Sequence, residues 1–312
     1  MKSCILKNRW SALILLLLLP LATQGQTKRT FVFVERDSAL RLDVWSPEVP
    51  RSDRACVVAL FGGGFVTGER DNSLQTSIAQ LLTARGYTVV SPDYRLGLKD
   101  TVKLKEYKGL SKMNDMFQWV IDIATEDCAA AVAYVVAHAG ELNINPDRIV
   151  LTGCSAGAIT VLQLDYCRAN ALPQATALPA DWKPAAVVPY SGAIMCHGKP
   201  QWKTPPAPTM LMHGTKDKIV AYRRFPSVLS HALYGSNTVF KQMKKKGYPV
   251  WIMRYEGIGH EVASFLPGSV DLFCGYVEQV FNGRRTTLDA TVRDEKLVPT
   301  EWTKMNVFDI YK

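Results

Sequence analysis

The sequence predicts an α/β fold: a mainly parallel sheet with helices on both faces. Three observations carry that expectation. Short apolar runs alternate with segments long enough for helices along most of the chain. One of those runs, CVVALF at 56–61, is apolar without interruption, as a strand buried on both faces must be. And the run DRIVLTG leads straight into Gly153-Cys154-Ser155-Ala156-Gly157, a strand, a sharp turn and a helix start.

Taken in order, residues 1–25 read as a leader rather than as part of the fold. Lys2, Lys7 and Arg9 give a basic start, 11–21 is a leucine-dominated run, and small residues follow. The run is about 11 residues, short of the ~20 that span a bilayer, so cleavage is expected, with Gln26 as the first mature residue. That places the protein outside the cytoplasm, secreted or periplasmic. The remaining chain, 26–312, is long enough for one large core and reads as a single domain. The formal charge of +9 falls to +6 without the leader, and the remaining basic residues are dispersed. The densest group, Lys241, Lys244, Lys245 and Lys246, suits a solvated helix face with no nucleic-acid motif beside it.

Segments 30–36 and 40–45 predict an edge hairpin around Asp37-Ser38. After the strand at 56–61 comes Gly62-Gly63-Gly64. A helix follows from Asp71 to about 85, stopped by Gly86, then a strand at 87–91. Residues 97–120 are charged and break the rhythm, as a cap over a site or an ornamental loop would. A helix is expected over about 122–139. Further strands are expected at 185–191, 209–212 and 250–255. The segment 192–208, with four prolines, reads as irregular, 236–246 and 267–281 as helices, and 283–312 as a mixed tail whose end packs back on the domain. Six cysteines lie beyond the leader: Cys56, Cys128, Cys154, Cys167, Cys196 and Cys274. An oxidising compartment permits disulfides among them, but their spacing suits no metal site.

Each candidate reactive residue falls just after an expected strand, where sites in parallel sheets lie. Ser155 sits between Gly153 and Gly157, whose lack of side chains lets strand and helix approach. Serine needs a base, and the base an orienting acid. Of the five histidines, His260 follows the last strand in a glycine-rich loop and suits a mobile imidazole. His213 is expected to shape the acid loop instead. Asp217 lies four residues beyond His213, after the preceding strand, while Asp93 comes before the nucleophile and reads as structural. The order is Ser155, Asp217, His260. The amide of Ala156 and those of Gly63 and Gly64 are candidate donors to an oxyanion. Phe65 is either a pocket wall or a core aromatic.

The pieces FGGGF (61–65), SPDYRLG (91–97), EDCAAAVAYV (126–135), INPDRIVLTGCSAG (144–157), HGTKD (213–217) and GIGHE (257–261) resemble the α/β-hydrolase superfamily. The likeness is to its carboxylesterase branch, near the hormone-sensitive-lipase-like and secreted bacterial esterases. The resemblance implies a mainly parallel eight-stranded sheet and ester hydrolysis through an acyl-enzyme, with no cofactor and no metal. Such relatives often remove acetyl or aromatic acyl groups from plant polysaccharides, which extends the expectation to esters of carbohydrates. A small-molecule or carbohydrate ester is therefore the expected partner, with no nucleic acid and no stable membrane insertion. Many relatives have His-Gly-Gly-Gly where this chain has Phe61-Gly62-Gly63-Gly64, as cholinesterase-type members do, so the support of that loop must differ. A serine peptidase or formamidase of the same fold, and a non-catalytic binding module, are the competing readings. Peptidases of the prolyl-oligopeptidase type carry a second glycine after the elbow, where this chain has Ala158.

Overall fold

A computed structural model describes residues 26–99, 110–225 and 231–311. The leader expected at 1–25 lies outside the described residues, as do residues 100–109 of the segment expected to be a cap or loop.

The chain opens with the expected hairpin, β1 (Thr27–Glu35) and β2 (Ala39–Ser46), paired antiparallel. Then come β3 (Cys56–Leu60), helix α1 (Ser73–Thr83), β4 (Thr88–Pro92), α2 (Leu110–Ala137), β5 (Ile149–Cys154) and α3 (Ala156–Asn170). The second half holds β6 (Ala186–Tyr190), β7 (Ala193–His197), β8 (Thr209–Gly214), β9 (His231–Gly235), α4 (Ser236–Lys245), β10 (Val250–Tyr255) and α5 (Val270–Phe281). It closes with β11 (Thr287–Val292), α6 (Glu301–Lys304) and α7 (Val307–Ile310). The main sheet runs β1-β2-β4-β3-β5-β6-β8-β10-β11. Its first two pairings, β1 with β2 and β2 with β4, are antiparallel, and the rest are parallel.

Alternation within β3 explains why CVVALF is apolar throughout. Cys56, Val58 and Leu60 enter one core with α2, α3 and α4, while Val57 and Ala59 enter the other with α1 and α5. Both faces are dry, so neither parity tolerates a polar side chain. Asn72, not Asp71, caps α1, its side chain accepting from the Gln75 amide at 3.0 Å. Gly86 ends that segment at φ +82°, a conformation that costs most side chains strain.

Three expectations need correcting. Among the described residues the sheet has nine strands, not eight; the ninth is β11, built from the tail beyond 283. Its alternating exposed and half-buried pattern is that of an edge strand, with polar Thr and Asp on the open side. Second, α2 begins at Leu110, well before 122. Met113, Met116, Phe117, Val120 and Ile121 recur at helical spacing and pack into the core, so the charged residues between them are simply its wet face. Third, 192–208 is not wholly irregular: β7 pairs with β9 as a separate two-stranded antiparallel sheet. His197 and His231 lie on it, their rings stacked at 4.1 Å. The six described cysteines are all free thiols, with no disulfide among them.

Candidate active site

Strand order assembles the site. The glycine loop follows β3, the Ser155 turn follows β5, and those strands are neighbours. The loops after β8 and β10 are likewise adjacent and tied together. The Thr215 amide donates to the Tyr255 carbonyl (3.0 Å), Lys216 to Ile258 (2.9 Å), and Gly257 to the Thr215 hydroxyl (3.0 Å). A side chain at Gly214 would overlap the carbonyl oxygens of Gly259 and Ile258, so glycine is what permits that contact.

Ser155 has φ 52° and ψ −115° at the N-terminus of α3. A non-glycine residue in that region is strained by about 1–3 kcal/mol and is held there by its surroundings. The hold is visible: the Ser155 amide donates to the Tyr190 carbonyl (3.0 Å), and its carbonyl accepts from Ile159 (2.9 Å). A Cβ on Gly157 would overlap the Phe61 and Leu60 carbonyl oxygens. Gly157→Ala is accordingly expected to cost about 2 kcal/mol or more, read as a lower urea midpoint at unchanged m-value. A midpoint within error of wild type would show that the elbow is not close-packed.

His260 lies at 2.8 Å from both partners: Nε2 to Ser155 Oγ, and Nδ1 to Asp217 Oδ2. A carboxylate only accepts, so Nδ1 carries the proton and Nε2 is left to accept from the serine. Asp217 Oδ1 accepts from the amides of Ile219 and Val220, both at 3.0 Å. His213 Nε2 faces the Val220 carbonyl (2.9 Å) and Asp217 Oδ2 (3.3 Å), and both can only accept, so that nitrogen is a donor. His213 Nδ1 meets Ser236 Oγ at 2.7 Å. Thus His213 shapes the acid loop, as expected from sequence. Asp93 is elsewhere, paired with Arg70 at 3.0 Å and accepting from the Arg41 amide.

Burial alone would push the Asp217 carboxyl up. The His260 charge and hydrogen bonds from His213 and His260 outweigh it and hold the group well below the ordinary carboxylate range. A carboxyl depressed on folding contributes stability that is present above its unfolded pKa and is lost as pH falls through the folded value. Wild type should therefore lose more stability than Asp217→Asn between about pH 5 and pH 3, measured by urea unfolding at each pH. Equal losses would remove Asp217 as the source. Cys154, beside the serine, is pushed up to about 12 by burial, which leaves its thiol protonated and inert.

The glycine loop passes directly over the elbow: a Cβ on Gly62 would sit 3.0 Å from the Cys154 carbonyl oxygen. Its support differs from a histidine-led loop in a definite way. Phe61 stacks on Tyr94 at 4.4 Å between ring centroids, and the Tyr94 hydroxyl donates to the Phe61 carbonyl at 2.8 Å. Among the described residues, the amides of Gly63 and Gly64 meet no protein acceptor. Ala156, first residue of α3, has no intrahelical partner for its amide either. All three line one cavity with Ser155 and His260.

That cavity has a volume of about 420 Å³, within the range of small-molecule sites. Phe65 answers to both descriptions given from sequence. It is buried against Tyr94, ring centroids 6.2 Å apart, and also contributes to the cavity wall. Most of the remaining wall was not legible as such: Phe117 and Ile121 from α2, Met195 and Leu233 from the small sheet, and Trp302, Val307, Ile310 and Tyr311 from the tail. The helical spacing at 113–121 is a usable signal for the first pair; for the tail, the apolar residues Trp302, Val307 and Ile310 signal that its end packs back on the domain, but not against which loops. Among the described residues, no cluster of His, Cys, Asp and Glu could hold a metal ion, and no helix is long and apolar enough to cross a membrane.

Residues 20–172 match the model of the carboxylesterase family. The match takes in about half of the chain, which is similar to that family over this stretch. It is 32% identical over 133 residues to Lipase 2 of Moraxella sp. (strain TA144), covering 42% of this chain and 24% of that protein. It is 28% identical over 157 residues to an arylesterase of Saccharolobus solfataricus, covering 50% of this chain and 44% of that one. The chain thus spans less than half the length of both named relatives. Its fold is shared with the native thermophilic esterase of Thermogutta terrifontis, at TM-score 0.56 and 18% identity, covering 85% of this chain and 95% of that one. The propionate-bound form of the Thermogutta enzyme gives TM-score 0.58 at 19% identity over 85% and 97% of the two chains.

Proposed function

We propose that the protein is a serine-dependent carboxylic ester hydrolase. The observation that carries the reading is the unbroken relay Ser155–His260–Asp217, with 2.8 Å at each link, opening onto amides without protein acceptors. In this mechanism Ser155 Oγ attacks the ester carbonyl carbon as His260 Nε2 takes the hydroxyl proton. The carbonyl oxygen becomes an oxyanion held by the amides of Gly63, Gly64 and Ala156, aided by the N-terminal end of α3. Asp217 stays ionised, fixes the tautomer and stabilises the imidazolium. His260 then returns the proton to the departing alkoxide, leaving an acyl-serine. Water deacylates it by the same route in reverse. The elements needed are all side chains and amides of this chain.

The ester we infer carries an apolar acyl group, short aliphatic or aromatic. The cavity wall is mostly aliphatic and aromatic, and several of its polar side chains are already engaged. Asn114 donates to the His231 carbonyl at 3.2 Å, and Glu261 is saturated by its own neighbours. The names of the relatives, an arylesterase and a lipase, support the same class. A carbohydrate alcohol would have to lie outside this cavity. Export through the leucine-rich leader belongs to the same proposal.

Two measurements test it together: hydrolysis of p-nitrophenyl butyrate, and mass spectrometry after treatment with a fluorophosphonate. Turnover with the adduct on the Ser155 peptide is the expected result. Turnover with the adduct elsewhere, or neither, would overturn it. Adding p-nitrophenyl β-D-glucoside acetates and a p-nitroanilide separates carbohydrate esters and amides from the apolar esters expected to be preferred.

A further inference from the structure

The C-terminal segment lines the cavity and is fastened to the loops that carry His260, Asp217 and the glycine amides. After β11 the chain returns over the carboxyl end of the sheet. At Thr300 it meets Glu261, the residue after His260. The Glu261 carboxylate accepts from the Thr300 amide (2.7 Å) and hydroxyl (2.8 Å), and from the Thr303 amide (3.1 Å) and hydroxyl (2.7 Å). The Gly259 amide also donates to the Thr303 hydroxyl at 2.8 Å. A side chain at Gly259 would overlap the Thr303 backbone, so glycine allows the two segments to touch.

The second fastening is on the acid loop: the Val307 amide donates to the Lys218 carbonyl at 3.2 Å. The third is on the glycine loop, where the Tyr311 hydroxyl donates to the Gly64 carbonyl at 2.9 Å. Tyr311 also packs edge-on against Phe117, ring centroids 5.6 Å apart. Helices α6 and α7 are four residues each, too short to be stable alone. Their geometry depends on these bonds and on the Asn306–Asp309 capping box.

We propose that residues 300–311 form a strap that sets the size limit of the acyl group, with Glu261 and Thr303 as its latch. The inference rests on the ester-hydrolase reading, which places the acyl carbonyl oxygen at the amides of Gly63 and Gly64. A Cβ on Gly64 would lie 3.2 Å from both Ile310 Cγ2 and the Tyr311 hydroxyl oxygen. The wall beside that carbonyl is therefore the strap itself, and an acyl chain extending past Gly64 runs into Ile310. The latch is independent of the chemistry of the acyl group: it holds the strap through polar contacts of Glu261, the residue after His260, with Thr300 and Thr303.

The test compares p-nitrophenyl acetate, butyrate and octanoate with wild type, Ile310→Ala, Ile310→Phe and Thr303→Val. Ile310→Ala should raise the octanoate-to-acetate ratio of kcat/KM by about tenfold, the scale of a few methylenes in an apolar pocket. Ile310→Phe should lower it by a similar factor. Thr303→Val should raise the ratio and speed hydrogen exchange at the Val307 amide. Ratios within twofold of wild type in both Ile310 variants overturn the strap. An unchanged ratio and unchanged Val307 exchange in Thr303→Val overturn the latch. Calorimetric binding of sodium butyrate and sodium octanoate needs no turnover. If wild type hydrolyses none of the esters, the ester reading fails, and the strap is then judged by whether Ile310→Ala shifts that binding ratio towards octanoate.

Discussion

Ser155→Ala is expected to lower kcat for p-nitrophenyl butyrate by about 10⁴-fold or more. The substitution deletes the proposed attacking atom, Oγ at 2.8 Å from His260 Nε2. The neighbouring thiol cannot replace it, because burial keeps Cys154 protonated. Residual turnover should come only from the amides and the cavity, which orient an ester towards water. The fold should be untouched. Alanine inherits the same φ of 52° as serine, so strain at the elbow is unchanged, and the bonds that hold the turn are made by the backbone. Wild-type and Ser155→Ala urea curves should therefore superimpose. Activity within tenfold of wild type would mean that another nucleophile does the work.

Asp217→Asn is expected to cost about 10⁴-fold in kcat while leaving KM within a few-fold. Oδ1 is held as an acceptor by the amides of Ile219 and Val220. An asparagine keeping that oxygen in place must turn its NH₂ towards His260 Nδ1. Nδ1 then has to accept, the ring proton moves to Nε2, and the nitrogen facing Ser155 becomes a donor with nothing to offer as a base. The His213 donor loses its carboxylate partner as well, though it keeps the Val220 carbonyl. Asp217 does not line the cavity, so substrate binding has no direct reason to change. A loss below tenfold in kcat, or a loss carried by KM, would show that tautomer control by this carboxylate is not what sustains the base.

The candidate trio was legible in the sequence because each member is tied to a strong local signal. Ser155 follows a buried strand and is bracketed by two glycines, Asp217 follows a short apolar strand ending in His213-Gly214, and His260 sits among glycines after the last predicted strand. The order along the chain then limits which acid and which base can meet the serine. Phe61 in place of a histidine was legible as a departure, but its consequence was not. That the ring stacks on Tyr94, and that Tyr94 returns a hydrogen bond to the Phe61 carbonyl, depends on residues 33 positions apart. Helix α2 lay in between: its spacing at 113, 116, 117, 120 and 121 was readable, yet the intervening charges masked it.

What the sequence determined by itself is the alternating α/β frame and the placing of Ser155, Asp217 and His260 at strand ends. Both rest on short-range physics: period-2 and period-3.6 burial, glycine where side chains would collide, and polar residues at strand ends. What only the tertiary structure decided is the wall around the reaction. The ninth strand is polar on its open side and pairs with β10 across the whole of α5, so no local pattern announces it. The small β7–β9 sheet joins segments more than 30 residues apart. The strap at 300–311 has too little length to fold alone; its shape comes from the Glu261 carboxylate, the Lys218 carbonyl and the Gly64 carbonyl. Those contacts gain free energy only after the sheet has brought the three loops together, and for that reason the cavity wall is a property of the assembled fold.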